Sequence, residues 1–147
     1  MPFTATSPAF ADGQPVPTQF TCDGNDAPPP ITITNPPQGT KSFAIIMDDP
    51  DAPRGTFTHW LAYDIPTGDD ALRATAGKTL KNGFGRTGYG GPCPPPGHGS
   101  HRYNFTIYAV DVASLNIGGT ARDDLEAALK GHTLAKARFM GRYERNR

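Results

Sequence analysis

The sequence predicts a small, mainly β domain, built from short strands between turn-rich loops with one short helix. Three observations carry that prediction. A chain of 147 residues suits one core, so the reading is a single domain over residues 1–147. It holds 17 Gly and 16 Pro, a density that long helices do not tolerate and turns between short strands do. Apolar runs between those residues show strand character. The glycines and prolines are not periodic, so the negative mean hydropathy is not read as disorder.

The first strong strand is Phe43-Ala44-Ile45-Ile46-Met47, apolar at both parities, as expected of a central strand covered on both faces. It runs into Asp48-Asp49-Pro50-Asp51-Ala52-Pro53, whose prolines forbid further pairing. A second strand is expected from His59 to Ile65, with His59, Leu61, Tyr63 and Ile65 on one face. A third runs from Tyr103 to Val110 and places His101, Tyr103, Phe105 and Ile107 together. A last one lies near Leu134–Tyr143. Shorter candidates are Gln19–Cys22 and the β-branched Ile31–Thr34, between proline-rich stretches.

One helix is predicted at Ala121–Lys130, with Thr120 as cap, Gly131 as stop, and an apolar stripe of Ala121, Leu125, Ala128 and Leu129. Residues 66–100 read as loop, with space for a short helical turn between Thr67 and Lys81. Loops this long are uncommon unless functional or disordered.

Composition excludes several classes. Lys+Arg and Asp+Glu both number 14, so no broad field attracts nucleic acid or an anionic membrane. The basic tail (Lys136, Arg138, Arg142, Arg145, Arg147) is interleaved with Phe139, Met140 and Tyr143 and reads as a strand with a solvated face. No apolar run approaches the roughly 20 residues that cross a bilayer. The start, Met-Pro-Phe-Thr, lacks a basic region followed by an apolar one, and the expected location is cytoplasmic. Cys22 and Cys93 are too few for a disulfide framework, and whether they pair is left open.

Familiar catalytic motifs fail. Gly83-Phe84-Gly85-Arg86-Thr87-Gly88 fits G-x-G-x-x-G, but the prolines that follow exclude the helix a dinucleotide site needs. Ser100 and His101 are strand neighbours and point to opposite faces. The simpler reading of Cys93 is a small residue filling a proline loop rather than a nucleophile.

What remains is an acidic proline loop (Asp49 to Pro53), His59 at a strand start, and His101-Arg102-Tyr103 entering another strand. Each lies at a strand end beside a rigid loop, where sandwich folds keep their sites. Imidazoles and the Tyr103 hydroxyl donate hydrogen bonds to phosphate oxygens. The N–H groups of Gly90, Gly91 and Cys93 are candidates for an anion nest. Asp49 or Asp51 is suited to fix an imidazole tautomer or to accept from a ligand ammonium. Arg102, of opposite parity, is expected in a structural salt bridge. Asp49, His59 and His101 are suitable metal-ligand types but lack a metal spacing signature, and no cofactor is expected.

These segments resemble a known family. Asp49-Pro50-Asp51-Ala52-Pro53, Thr58-His59-Trp60, Gly90-Gly91-Pro92-Cys93-Pro94-Pro95 and Gly99-Ser100-His101-Arg102-Tyr103 resemble the motifs of the phosphatidylethanolamine-binding proteins. Thr21-Cys22-Asp23-Gly24 and Gly131-His132-Thr133-Leu134 resemble the bacterial, Raf kinase inhibitor-like (YbhB/YbcL-like) branch. The resemblance implies an antiparallel β-sandwich with Greek-key topology and one or two short peripheral helices. It also implies a pocket for phosphate-like anions or phospholipid head groups, formed by Asp49, Asp51, Pro53, His59, Pro95, His101 and Tyr103.

The expected function is ligand binding of regulatory type rather than catalysis. The alternatives are a small phosphate-ester hydrolase and a protein–protein module. Eukaryotic relatives act as kinase inhibitors or signalling scaffolds, which makes a protein partner such as a kinase an expectation the motifs alone do not carry to bacterial-type members; the exposed proline loops are suited to a homodimer. Thr58 replaces the first of two histidines in the eukaryotic motif. No equivalent of the eukaryotic C-terminal pocket-closing segment is evident. Both departures favour a small anion over a bulky phospholipid.

Overall fold

The computed structural model describes residues 2–146. Seven strands form two antiparallel sheets. Strands β1 (Thr4–Thr6) and β2 (Thr32–Thr34) make the smaller one. Strands β3 (Ser42–Asp49), β4 (Phe57–Ile65), β5 (Lys78–Thr79), β6 (His101–Val110) and β7 (Thr133–Tyr143) make the larger, in the order β5-β4-β3-β6-β7. Three consecutive strands, with a fourth returning beside the first, are consistent with a Greek key. One helix, α1 (Arg122–Leu129), lies between β6 and β7.

The double-sided apolar run of β3 behaves as its pattern predicts. Phe43, Ile45 and Met47 join a core with Phe105, Ile107 and Phe139, closed by Ala5 and Ile33 of the small sheet. Ala44 and Ile46 face the other way, into a second cluster with Leu61, Val110, Leu125 and Leu129. The large sheet is therefore covered on both faces, by the small sheet and by α1. Of the predicted helix stripe, Leu125 and Leu129 are buried, and Ala128 packs at the edge of their cluster. The basic strand β7 keeps Lys136, Arg138 and Arg142 exposed while Ala137, Phe139 and Gly141 are buried. Arg147 lies outside the described residues.

The N-terminal segment protects the outer edge of β7. Gly13 N–H donates to Met140 O at 2.7 Å, Val16 N–H to Arg142 O at 2.7 Å, and Arg142 N–H returns to Gln14 O at 3.0 Å. These bonds occupy edge groups that would otherwise invite another chain.

Several local expectations are corrected. Gln19–Cys22 is not a strand: Thr18–Phe20 is a single 3-10 turn, closed by the Thr21 hydroxyl donating to Thr18 O at 2.8 Å. Helix α1 begins one residue late, so Ala121 rather than Thr120 is its cap, and Asp124 accepts the Ala121 N–H at 3.0 Å. The predicted helical turn within residues 67–81 exists as a 3-10 turn at Ala74–Ala76. Cys22 and Cys93 are joined, with Cα atoms 5.4 Å apart.

The shared face proposed for β4 is broken by two bulges. Phe43 pairs with Ile65 and Ile45 with Ala62, so β4 carries one extra residue there, with Asp64 at φ 54°. Leu61 and Tyr63 consequently pack under α1 while Ile65 joins the other core. At the strand's start Met47 pairs with Trp60 and Asp48 with Thr58, leaving His59 as the second extra residue. Bulges re-aim side chains in this way beside functional sites.

Leu125 anchors α1 and is fully buried. Leu125→Ala is expected to lower unfolding stability by about 2–5 kcal/mol, as for other buried leucines, measured by urea denaturation.

Candidate functional site

A cavity of ≈ 190 Å³ opens where the ends of β3, β4 and β6 meet the proline loops. Six of the seven predicted residues line it: Asp49, Pro53, His59, Pro95, His101 and Tyr103. Its volume suits a small anion or head group better than a drug-sized ligand, for which pockets of roughly 300–1,000 Å³ are usual.

The site is built by pairing two short sequence segments. Asp49 ends β3, and Asp49 Oδ2 lies 2.6 Å from His101 Nδ1, both groups being almost completely buried. The other oxygen, Oδ1, accepts the Asp51 N–H at 2.8 Å, so the acidic loop folds back on its own first carboxylate. An imidazole that donates from Nδ1 to Asp49 leaves Nε2 as its only other polar atom. Asp49 thus fixes the tautomer of His101, the role foreseen for one of the two aspartates.

Asp51 goes elsewhere. Its Oδ2 accepts from Arg102 N–H and Nε–H, each at 2.9 Å, and its Oδ1 from Arg102 Nη2 at 2.7 Å. The bidentate pair lies on the outer surface, and Asp51 does not line the cavity. The structure sets Asp51, expected among the ligand residues, outside the cavity lining: strand parity turns Arg102 outward, and Asp51 follows it. The structural salt bridge expected of Arg102 is present. The hydrogen bonds from Arg102 lower the Asp51 pKa from 3.8 to about 2.

His59 is held by Gly90 through two bonds. His59 Nδ1 donates to Gly90 O at 2.7 Å, and Gly90 N–H donates to His59 O at 3.0 Å. Burial depresses the His59 pKa, against the opposing effect of Gly90 and the Asp49 charge. A neutral ring donating from Nδ1 presents Nε2 as an acceptor. The ring packs edge-on against Tyr103, with centroids 5.2 Å apart.

The Tyr103 hydroxyl is buried and makes no hydrogen bond of full geometry with the protein, although the Asp49 carboxylate lies close enough to act on it. Burial, with the Asp49 charge nearby, raises its pKa, so it is a neutral phenol. A buried hydroxyl left unpaired is costly, and this one belongs to a residue lining the cavity.

The expected glycine nest is not formed. Gly90 N–H is bound to His59 O, and Gly91 N–H to Asp26 Oδ1 at 2.8 Å. These glycines serve close approach instead: a Cβ on Gly91 would lie 2.4 Å from Phe20 O, and one on Gly90 would lie 2.5 Å from the Phe84 ring. Cys93 lines the cavity, but its sulfur is bonded to Cys22, which removes the nucleophile reading.

Sequence reasoning missed the aromatic wall. Phe57 and Phe84 line the cavity, with ring centroids 4.8 Å apart and a T-shaped contact. Phe84 belongs to the G-x-G-x-x-G segment, which is a loop wound around Asn82: its Oδ1 accepts from Phe84 and Arg86 N–H at 2.9 and 3.3 Å, and its Nδ2 donates to Gly88 O at 3.0 Å. The one available signal was an aromatic residue within a glycine loop. Thr58, in place of the family's extra histidine, faces away from the cavity and accepts from Arg122 Nη1 at 3.2 Å. Among the described residues no group of three or more His, Cys, Asp or Glu converges as a metal site. No described helix is long and apolar enough to cross a membrane.

The Asp51 carboxyl supplies a direct check on this geometry. Its folded pKa is depressed, so the stabilisation it gives is present above the ordinary carboxylate pKa and is lost as pH falls from near 4 through about 2. Carbon-detected NMR titration is expected to give a midpoint near 2, and Arg102→Ala to return it to the normal carboxylate range.

Comparisons with known proteins agree with this architecture. Residues 6–144 match the phosphatidylethanolamine-binding protein family. A UPF0098 protein of Aquifex aeolicus is 48% identical over 149 residues, covering 95% of this chain and 87% of its own. A Mycobacterium tuberculosis protein named as a candidate lipoprotein, LppC, is 39% identical, covering 97% and 73%. Among solved structures, the Chlamydia trachomatis homologue CT736 superposes with a TM-score of 0.88 at 35% identity, over 98% of both chains. Escherichia coli YbcL superposes with a TM-score of 0.85 at 28% identity, over 97% of this chain and 98% of its own. The chain belongs to the phosphatidylethanolamine-binding protein family, in its bacterial YbhB/YbcL-like branch.

Proposed function

We propose that the protein binds a small phosphate-bearing ligand, such as a phospholipid head group or a phosphorylated metabolite, in the cavity at His59, His101 and Tyr103. The observation that carries this reading is the buried Tyr103 hydroxyl, without a hydrogen bond of full geometry to the protein, in a cavity that also holds two oriented imidazoles. A ligand oxygen accepting from that hydroxyl relieves its desolvation cost.

Asp49 is a buried carboxyl group beside the cavity, and its bond with His101 Nδ1 leaves His101 Nε2 as the atom that can meet a phosphate oxygen. Neutral His59 accepts from a P–OH or an ammonium of the ligand. Phe57 and Phe84 cover the carbon portion. The family resemblance, rather than the cavity, is what suggests a regulatory role with a protein partner such as a kinase.

A different bond bears on the compartment, which the sequence predicts to be cytoplasmic. Disulfides persist in oxidising compartments and in the cytosol of hyperthermophiles, so Cys22–Cys93 argues against a reducing cytoplasm as the working location.

The Asp49–His101 pair also supports a second reading, hydrolysis of phosphate esters, because a buried carboxylate on Nδ1 is the arrangement that orients an imidazole for acid–base work. Phosphate release from an aryl phosphate, abolished by His101→Gln, is the result that would favour it.

Tyr103→Phe separates binding from folding. Removing a buried hydroxyl that makes no full hydrogen bond to the protein is expected to leave stability unchanged or raised by up to about 1 kcal/mol. It is also expected to weaken O-phosphorylethanolamine binding about fivefold or more, measured by calorimetry. Equal affinity in both proteins would remove Tyr103 from the site.

A further inference from the structure

His98 occupies the atom that a ligand needs. Its Nδ1 lies 2.7 Å from His101 Nε2, and the two rings meet nearly edge to face with centroids 4.9 Å apart. Since Asp49 holds Nδ1 of His101, the His98 contact uses the second and last polar atom of that ring. The engagement holds in either protonation state. A neutral His101 accepts from His98 Nδ1–H, and a doubly protonated His101 donates to His98 Nδ1. His98 itself is exposed and is not among the residues lining the cavity.

His98 sits between two glycines. Gly97 and Gly99 flank it at φ 77° and 92°, conformations that glycine adopts without steric cost. The segment rests on two backbone bonds, His98 N–H to Pro95 O at 3.1 Å and Gly97 N–H to Arg145 O at 2.9 Å.

We propose that His98 is a gating residue: it competes with the ligand for His101 Nε2, and an anion binds fully only when His98 swings outward. The inference rests on the anion-pocket reading and adds its regulation. A contact at the phosphate position is traded for a contact within the protein, so the apparent affinity is lower than the pocket itself would give. Anything that draws residues 97–99 outward, a partner protein included, raises affinity without touching the ligand.

Calorimetric titration with inorganic phosphate tests this on the full chain, comparing wild type, His98→Ala and His98→Gln. His98→Ala, at an exposed position, is expected to bind phosphate about threefold to tenfold more tightly, the range set by one hydrogen bond no longer displaced. His98→Gln restores a side chain able to bond His101 and is expected to fall back toward wild type. Equal affinity in wild type and His98→Ala overturns the gate while leaving the pocket intact. Weaker binding in His98→Ala also overturns it and makes His98 a ligand contact. No binding of phosphate by any of the three overturns the gate and the anion-pocket reading together.

Discussion

The buried contact between Asp49 and His101 organises this molecule. The two residues are 52 positions apart in the chain and 2.6 Å apart in space. They can meet only because β3 and β6 are antiparallel neighbours with Ile45 opposite Ile107 and Asp48 opposite Asn104. A buried carboxylate without a partner is strongly destabilising, so this pair constrains how the acidic proline loop can close. Asp51 N–H bonds to the same carboxylate, and Asp51 and Arg102, further along each segment, pair on the outside. The two signatures are therefore one object, an inner carboxylate–imidazole hydrogen bond and an outer ion pair stitched across adjacent strands.

The pocket depends on that object together with a defect. An unbroken β4 would point His59 toward α1, with Leu61. The extra residue at His59 turns it instead toward Tyr103, and the reciprocal bonds with Gly90 hold it there. Gly90 and Gly91 have no room for side chains, so the long loop packs directly onto the strand. The disulfide from Cys93 to Cys22 ties the same loop to the N-terminal segment. Rigid support from several elements keeps Tyr103 buried at the cavity wall.

Much of the fold was legible because hydrophobic periodicity is a local record of burial. The two-parity run of Phe43 to Met47 announced a strand covered on both faces, and the alternation from His101 to Ile107 announced one buried face. Three places were illegible for definite reasons. A bulge inserts a residue without altering composition, so the parity argument for Ile65 and His59 failed. Pro17 and the Thr21 hydroxyl stabilise a 3-10 turn where β-propensity alone suggested a strand. The helix cap moved from Thr120 to Ala121 because the Asp124 carboxylate, rather than a cap side chain, satisfies the Ala121 N–H. In the site, residue types marked Asp49, His59, His101 and Tyr103. The division of labour between Asp49 and Asp51 required knowing which way Arg102 faces, and Phe84 required knowing how its loop winds around Asn82.

The most direct measurement is a nitrogen-detected NMR titration of the four histidines with O-phosphorylethanolamine. The account predicts His101 protonated on Nδ1 in the free protein, saturable shifts at His59 and His101 on titration, and a coupled change at His98, with His132 silent. His101 carrying its proton on Nε2 alone in the free protein, or ligand shifts confined to His132 and other surface groups, would contradict it.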